Sequence, residues 1–221
     1  MNLDLLQDID AQLLLYLNSM HCAFFDELMW GLTSAKVWIP MYIVLAWVLQ
    51  RRYGWSRAML WAVVLIICCF GLSELLCGHL IRNWIARPRP SNEESPIWQL
   101  IHTVHDYRGG HYGFPSCHAA NSVGLATIAS LILRRKAMTI TLFTWSVIHT
   151  YSRIYLGVHY PGDIIVGAIT GGLGSYLIYR SGVAMGKIKE TAPQPTDWAL
   201  PAWLSLTLVC ILIYATVMTL W

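Results

Sequence analysis

The stretch Ser152-Arg153-Ile154-Tyr155-Leu156-Gly157-Val158-His159-Tyr160-Pro161-Gly162-Asp163 sets an arginine, a histidine and a carboxylate between two apolar runs, Ala137–Ile154 and Gly162–Tyr179. Runs of that length and hydropathy read as membrane spans. Ionisable groups beside hydrocarbon are costly, so a cluster of them at the edge of a span marks function by default. Working outward, two further clusters lie upstream, Arg82…Arg89-Pro90 and Pro115-Ser116-Cys117-His118.

Composition agrees with a multi-span membrane protein. Of 221 residues 56% are hydrophobic and 12% charged, and the mean hydropathy is +0.50, whereas soluble domains carry roughly 25% charged residues. The length suits one compact domain, residues 1–221, with no separate soluble domain. The start, Met1 to Asp10, is acidic and lacks the basic region of a signal peptide. A net charge of +3 does not point to nucleic acid, because most of the Lys and Arg sit in short loops where they set topology. Cys68, Cys69, Cys77 and Cys210 lie inside apolar runs, and the six cysteines show neither CxxC nor a metal-type spacing. No metal or other cofactor is expected.

The expected fold is all-α: an integral-membrane bundle of six helices with an N-terminal interfacial amphipathic helix. Leu3–Leu17 alternates apolar and acidic positions at helical spacing and is too short to span. The spans are Phe24–Gln50, interrupted at Thr33-Ser34, then Ala58–Ile81, Ser116–Leu133, Ala137–Ile154, Gly162–Tyr179 and a C-terminal Ala199–Trp221, which follows the polar linker Ser181–Asp197. Loops after the odd-numbered spans hold Arg51, Arg52, Arg57, Arg134, Arg135, Lys136, Arg180, Lys187 and Lys189; the other side holds Lys36, Arg82, Arg87, Arg89, Arg108 and Arg153. The excess places the first group in the cytoplasm and the clusters outside it. Alternating crossings then bring all three clusters to one face, and small residues in spans three and five, including the pair Gly167 and Gly171, allow close helix approach.

The clusters suit a phosphate group. Pro115 and Pro161 fit first helical positions, so two helix N-termini, with unpaired amides and positive dipole ends, face the same region. Ser116 adds a hydroxyl. Arg82, Arg89 and Arg153 supply guanidinium forks for phosphate oxygens. Arg82 and Arg89 are two helical turns apart, but Pro88 and Pro90 put the helix in doubt beyond Ala86. Asp163, in a first turn, can orient one nitrogen of His159 and leave the other free, as a nucleophile or base requires. His118, one turn into its span, suits a general acid. His149 and His79 precede Arg153 and Arg82 by four and three residues and can support them, and Glu74 is expected to be buried and paired within the bundle. The loop Ser91–Phe114, with Trp98, Tyr107, Arg108 and Tyr112, is long enough to be a binding element that selects a headgroup.

Taken together, Arg82-x6-Arg89-Pro90, Pro115-Ser116-Cys117-His118 and Ser152-Arg153-x5-His159-x3-Asp163 resemble the three-part signature of the type 2 phosphatidic acid phosphatase superfamily, K-x6-R-P, P-S-G-H and S-R-x5-H-x3-D. The resemblance covers residues 82–163 and departs from the pattern at Arg82, where lysine is usual, and at Cys117, where glycine is usual. It implies a metal-independent phosphatase of the membrane lipid-phosphatase branch. His159 would attack phosphorus, Asp163 would orient it and His118 would protonate the leaving group. Arg82, Arg89, Ser116, the amide of Cys117 and Arg153 would hold the phosphate. The implied substrates are lipids of a bacterial cytoplasmic membrane met at its outer face: undecaprenyl diphosphate or another isoprenyl diphosphate, lipid A phosphate, or a phospholipid such as phosphatidylglycerol phosphate. Two other readings are a lipid phosphotransferase and, from a different class, a membrane channel or scaffold that kept the signature without catalysis. Headgroup and oligomeric state are not encoded in these residues.

Overall fold

The computed structural model describes residues 3–188, 191–192 and 194–220; Lys189, counted above for orientation, and Trp221, the end of the last run, lie outside them. Among the described residues all regular secondary structure is helical, apart from one isolated antiparallel bridge, Pro88 to Tyr112, in the long segment between Ile85 and Cys117. The helices are α1 (Leu3–Asn18), α2 (Ala23–Thr33), α3 (Ile39–Tyr53), α4 (Arg57–Ser73), α5 (Ile81–Ile85), α6 (Cys117–Leu133), α7 (Lys136–Tyr155), α8 (Pro161–Ala184) and α9 (Ala199–Leu220).

Three helical stretches are long and apolar enough to cross a membrane, Arg57–Ile85, Pro161–Ala184 and Pro195–Leu220, and the pair Ala23–Thr33 and Ala35–Tyr53 makes a fourth if taken as one span bent by 61°. The bend falls at Ser34, where the expected interruption lies. Arg57–Ile85 runs through a π-helical segment, Glu74–Leu80, and stops at Ala86, which takes a left-handed conformation (φ 49°). Glu74 is exposed on the flank of this helix, so its expected burial is corrected. Periodicity could not have placed it, because a span is apolar on every side.

Close approach of α6 and α8 positions everything that follows. A Cβ at Gly167 would strike the carbonyl of Ser116, and one at Gly171 would strike the carbonyl of Ala120. With hydrogen in both places, the α8 backbone lies directly on the first two turns of α6. Ala119, Ala120 and Gly124 of α6 are buried in the contact region. Both helices begin at the same end of the bundle, tied by the Ser116 amide donating to the Asp163 carbonyl at 3.0 Å. The main core fills the other side of α6, from Leu125 and Ile128 to Leu133, against Trp38, Leu45, Leu49, Leu142 and Leu204.

Candidate active site

Asp163 is the third residue of α8, and its local role follows from Pro161. The proline opens the helix and leaves Tyr160 as the cap. The Asp163 carboxylate turns back to accept the Tyr160 amide at 3.0 Å through Oδ2. That oxygen is then also 3.2 Å from His159 Nδ1. Both side chains are wholly buried.

Arg89 settles which ring nitrogen of His159 carries the proton. Its Nη1 lies 2.8 Å from Nε2 of His159 and donates to the Val158 carbonyl at 2.9 Å. A guanidinium has no acceptor, so Nε2 must offer a lone pair and the proton must sit on Nδ1, facing Asp163. Nε2 is therefore not free, as the spacing suggested, but shares its lone pair with Arg89. Burial first, and then the charges of Arg89, Arg153 and Arg82, hold His159 well below the ordinary imidazole value. It is a neutral base among cations.

The arginines come from three elements. Arg82 sits on α5 and donates from Nη2 to the Pro115 carbonyl at 3.1 Å and to Cys117 Sγ at 3.2 Å. Arg89 lies beyond the helix end, in the bridged segment, where its amide donates to the His111 carbonyl at 3.0 Å. Arg153, in the last turn of α7, bonds Thr33 Oγ1 at 2.6 Å and the Tyr107 hydroxyl at 3.3 Å. Among the described residues none of the three pairs with a carboxylate, and each has a buried Nε without a partner. Burial, together with the charges of Arg153 and Arg82, brings Arg89 down to about 10.

The second cluster differs from expectation at its start. Helix α6 begins at Cys117, not Pro115, and Ser116 is its cap, accepting the Ala119 amide through Oγ at 3.4 Å. The Ser116 amide is spent on Asp163, which leaves those of Cys117 and His118 in the first turn with no helical partner. The Cys117 thiol, in place of the usual glycine, receives Arg82. His118 is half-buried, within electrostatic reach of His159, Arg153 and Arg89, and its ring has no hydrogen-bond partner among the described residues. Its ring centre lies 5.8 Å from that of His149. His149 itself bonds the Leu32 carbonyl at 2.9 Å, so it braces α2 and not Arg153.

With the three clusters at one end of the bundle, the sequence can be set against known proteins. The profile of the PAP2 superfamily matches residues 62–186. The chain belongs to the PAP2 superfamily. It is 41% identical over 177 residues to a protein of Bacteroides thetaiotaomicron called lipid A 4'-phosphatase, covering 80% of this chain and 78% of the relative. It is 32% identical over 177 residues to a protein of the same name from Porphyromonas gingivalis, covering 78% and 72%. The fold is shared with the crystal structure of a transmembrane PAP2-type phosphatidylglycerolphosphate phosphatase of Bacillus subtilis, with TM-score 0.62, 23% identity, and coverage of 82% and 87%.

All eight candidate site residues of this PAP2 chain fall within the matched region, yet several further groups that surround them were not among the candidates. Arg87 donates from Nη1 to Asp163 Oδ1 at 3.1 Å and to Asp10 Oδ2 at 2.7 Å. Its place in the run Arg87-Pro88-Arg89-Pro90 was the available signal. Gly113 presses its backbone against the His159–Asp163 pair: an added Cβ would lie 2.9 Å from Asp163 Oδ2 and 3.5 Å from His159 Nδ1. Tyr107 and Thr33, which hold Arg153, come from the long loop and from the end of α2. That loop is anchored, not loose. Arg108 bonds the Ser91 carbonyl at 2.9 Å, and His102, His105 and His111 pair with Asp26, Glu27 and Glu94.

Proposed function

We propose that this protein is a membrane lipid phosphatase that removes phosphate from a lipid headgroup, with lipid A carrying a 4'-phosphate as first substrate and undecaprenyl diphosphate as second. The observation that carries the reading is the neutral His159, held by Asp163 on Nδ1 and faced by Arg89 on Nε2, beside two further arginines lacking a carboxylate partner. The names of the relatives support lipid A, and an archaeal relative at 28% identity, from Sulfolobus acidocaldarius, is called undecaprenyl-diphosphatase.

A phosphate dianion would draw the guanidinium groups of Arg82, Arg89 and Arg153 onto its oxygens, with the Cys117 and His118 amides and Ser116 at the start of α6. Moving Arg89 onto phosphate releases the Nε2 lone pair. Nε2 then attacks phosphorus as the bond to the lipid oxygen breaks, and His118, which takes up a proton when the phosphate dianion offsets the surrounding arginine charges, gives that proton to the lipid oxygen. Asp163 stabilises the positive ring through Nδ1–H. Water, deprotonated by His118, then attacks the phosphohistidine and frees inorganic phosphate and His159. No metal ion takes part in these steps.

Six crossings fit this reading: the bent α2–α3 pair, the Arg57–Ile85 stretch, α6, α7, α8 and α9, with α1 at the interface beside the site. The basic loops at the other end would face the cytoplasm, so that lipid enters from the outer leaflet of a bacterial cytoplasmic membrane. The test is phosphate release by purified protein in detergent from lipid A 4'-phosphate, undecaprenyl diphosphate and phosphatidylglycerol phosphate, with and without chelator. Release from lipid A that survives chelation is the expected result. Release from none of the three would end the phosphatase reading, and loss on chelation would end the metal-free mechanism.

A further inference from the structure

Asp163 has two oxygens, and the mechanism above uses only one of them. Oδ2 takes His159 Nδ1 and the Tyr160 amide; Oδ1 is held by Arg87 Nη1 at 3.1 Å. The same nitrogen of Arg87 is bound at 2.7 Å by Asp10 Oδ2, and the other oxygen of Asp10 accepts the Gly162 amide at 2.7 Å. The Arg87 guanidinium lies 3.7 Å above the centre of the Tyr160 ring, whose hydroxyl is 3.0 Å from Ser95 Oγ. Asp10 therefore grips both the first turn of α8 and the cation that grips Asp163.

We infer that Asp10 and Arg87 are positioning residues for the nucleophile: Asp10 fixes Arg87, Arg87 fixes the rotation of the Asp163 carboxylate, and Asp163 aims Nε2 of His159. Helix α1, which lies outside the matched residues 62–186, is thereby part of the catalytic apparatus and not only an interfacial appendage. The inference rests on the phosphatase reading of the same site. Its physical basis is torsional. A carboxylate held through Oδ2 alone can turn about its own bond, and the imidazole turns with it. A cation on Oδ1 removes that freedom, and a reacting atom displaced by about 1 Å costs on the order of 100-fold in rate. Asp10 also balances the Arg87 charge, so the guanidinium stays on Asp163 when phosphate arrives nearby.

The bland alternative is that this ion chain only glues α1 to the bundle. Leu14 offers the control, since it is fully buried against Ile154 and Tyr160 and attaches α1 without touching the chain of charges. Asp10→Asn and Arg87→Met should lower kcat by about 10- to 100-fold with KM within about twofold, because neither residue meets the substrate. Since one nitrogen makes both contacts of Arg87, Arg87→Lys should recover at least about tenfold of the loss. Leu14→Ala should lower the melting temperature yet keep kcat per folded molecule. Losses that track the folded fraction, a change confined to KM, or an equal kcat loss in Leu14→Ala would overturn the inference while leaving the phosphatase reading intact. Wild-type protein inactive on all three lipids would overturn that reading instead, and the inference with it.

Discussion

Two groups of buried charge stand at opposite ends of α6. Near Leu133, Arg52 donates from Nη1 to the carbonyls of Ile132 and Leu133 at 3.1 and 2.7 Å and from Nη2 to Asp197 at 2.9 Å, with both side chains of the ion pair wholly buried. That guanidinium closes the C-terminal end of α6 and has a buried carboxylate partner, which also faces Arg135 at 3.8 Å. Near Ser116, about 24 Å away along the helix, Arg82, Arg89 and Arg153 gather with no carboxylate of their own, while the one buried acid, Asp163, is committed to Arg87 and His159. A bundle that gives one arginine a buried carboxylate and leaves three without one at the other end has the charge distribution that the proposed phosphate site requires. The first group ties the fold together; the second, on the proposed reading, awaits a ligand.

Four experiments can break or sharpen this contrast. His159→Ala should reduce turnover by at least roughly 10^4-fold, given what loss of a nucleophile costs elsewhere, while the variant elutes and melts as a folded protein; residual turnover within tenfold of wild type would remove His159 from the chemistry. Next, Arg89→Gln and Arg153→Gln should each cost about 100- to 1000-fold in kcat/KM, as removal of one donor to a developing charge does, with no fall in melting temperature. Asp197→Asn should do the reverse, leaving kcat per folded molecule unchanged and lowering stability by about 3–5 kcal/mol, the cost of stranding a buried charge. If the two sets of variants behave alike, the distinction between a closed and an open charge group is wrong.

The third experiment uses pH. His159 stays unprotonated in the folded protein far below the ordinary imidazole value of about 6.5. Below that pH the unfolded chain takes up a proton that the folded chain refuses. Its contribution to stability is therefore flat above about pH 6.5 and falls as the pH drops, by up to about 1.4 kcal/mol per pH unit. Melting curves of wild type and His159→Gln between pH 7.5 and 5.5 should diverge in that sense, the wild type losing more; parallel curves would mean that the ring is protonated in the fold. Finally, Arg82→Lys should keep activity within about tenfold, measured as phosphate release. Complete loss would mean that the fork on the Pro115 carbonyl and Cys117 matters more than the charge.

Much of this architecture could be read along the chain. The helical segments follow the apolar runs with ends shifted by a few residues: Ser116–Leu133 became Cys117–Leu133, Ala137–Ile154 became Lys136–Tyr155, and Gly162–Tyr179 became Pro161–Ala184. Pro161 and Asp163 behave as their spacing predicts, because capping is a matter between residues three or four apart. Ser116 was misplaced by one step for a related reason. Pro115 and Ser116 both suit a helix start, and the choice between them depended on Asp163 offering its carbonyl to the Ser116 amide from another helix.

Local chemistry thus decided where most helices begin and which runs are apolar enough to cross a membrane. All of that depends on neighbours in the chain or on composition. Packing alone decided which charges are cancelled and which stay open. Asp10 meets Arg87 across 77 positions and Arg52 meets Asp197 across 145, and no periodicity reports such pairs when the helices between them are apolar all round. It was likewise the fold, by setting Arg89 at Nε2 of the imidazole and Asp163 at Nδ1, that assigned the proton.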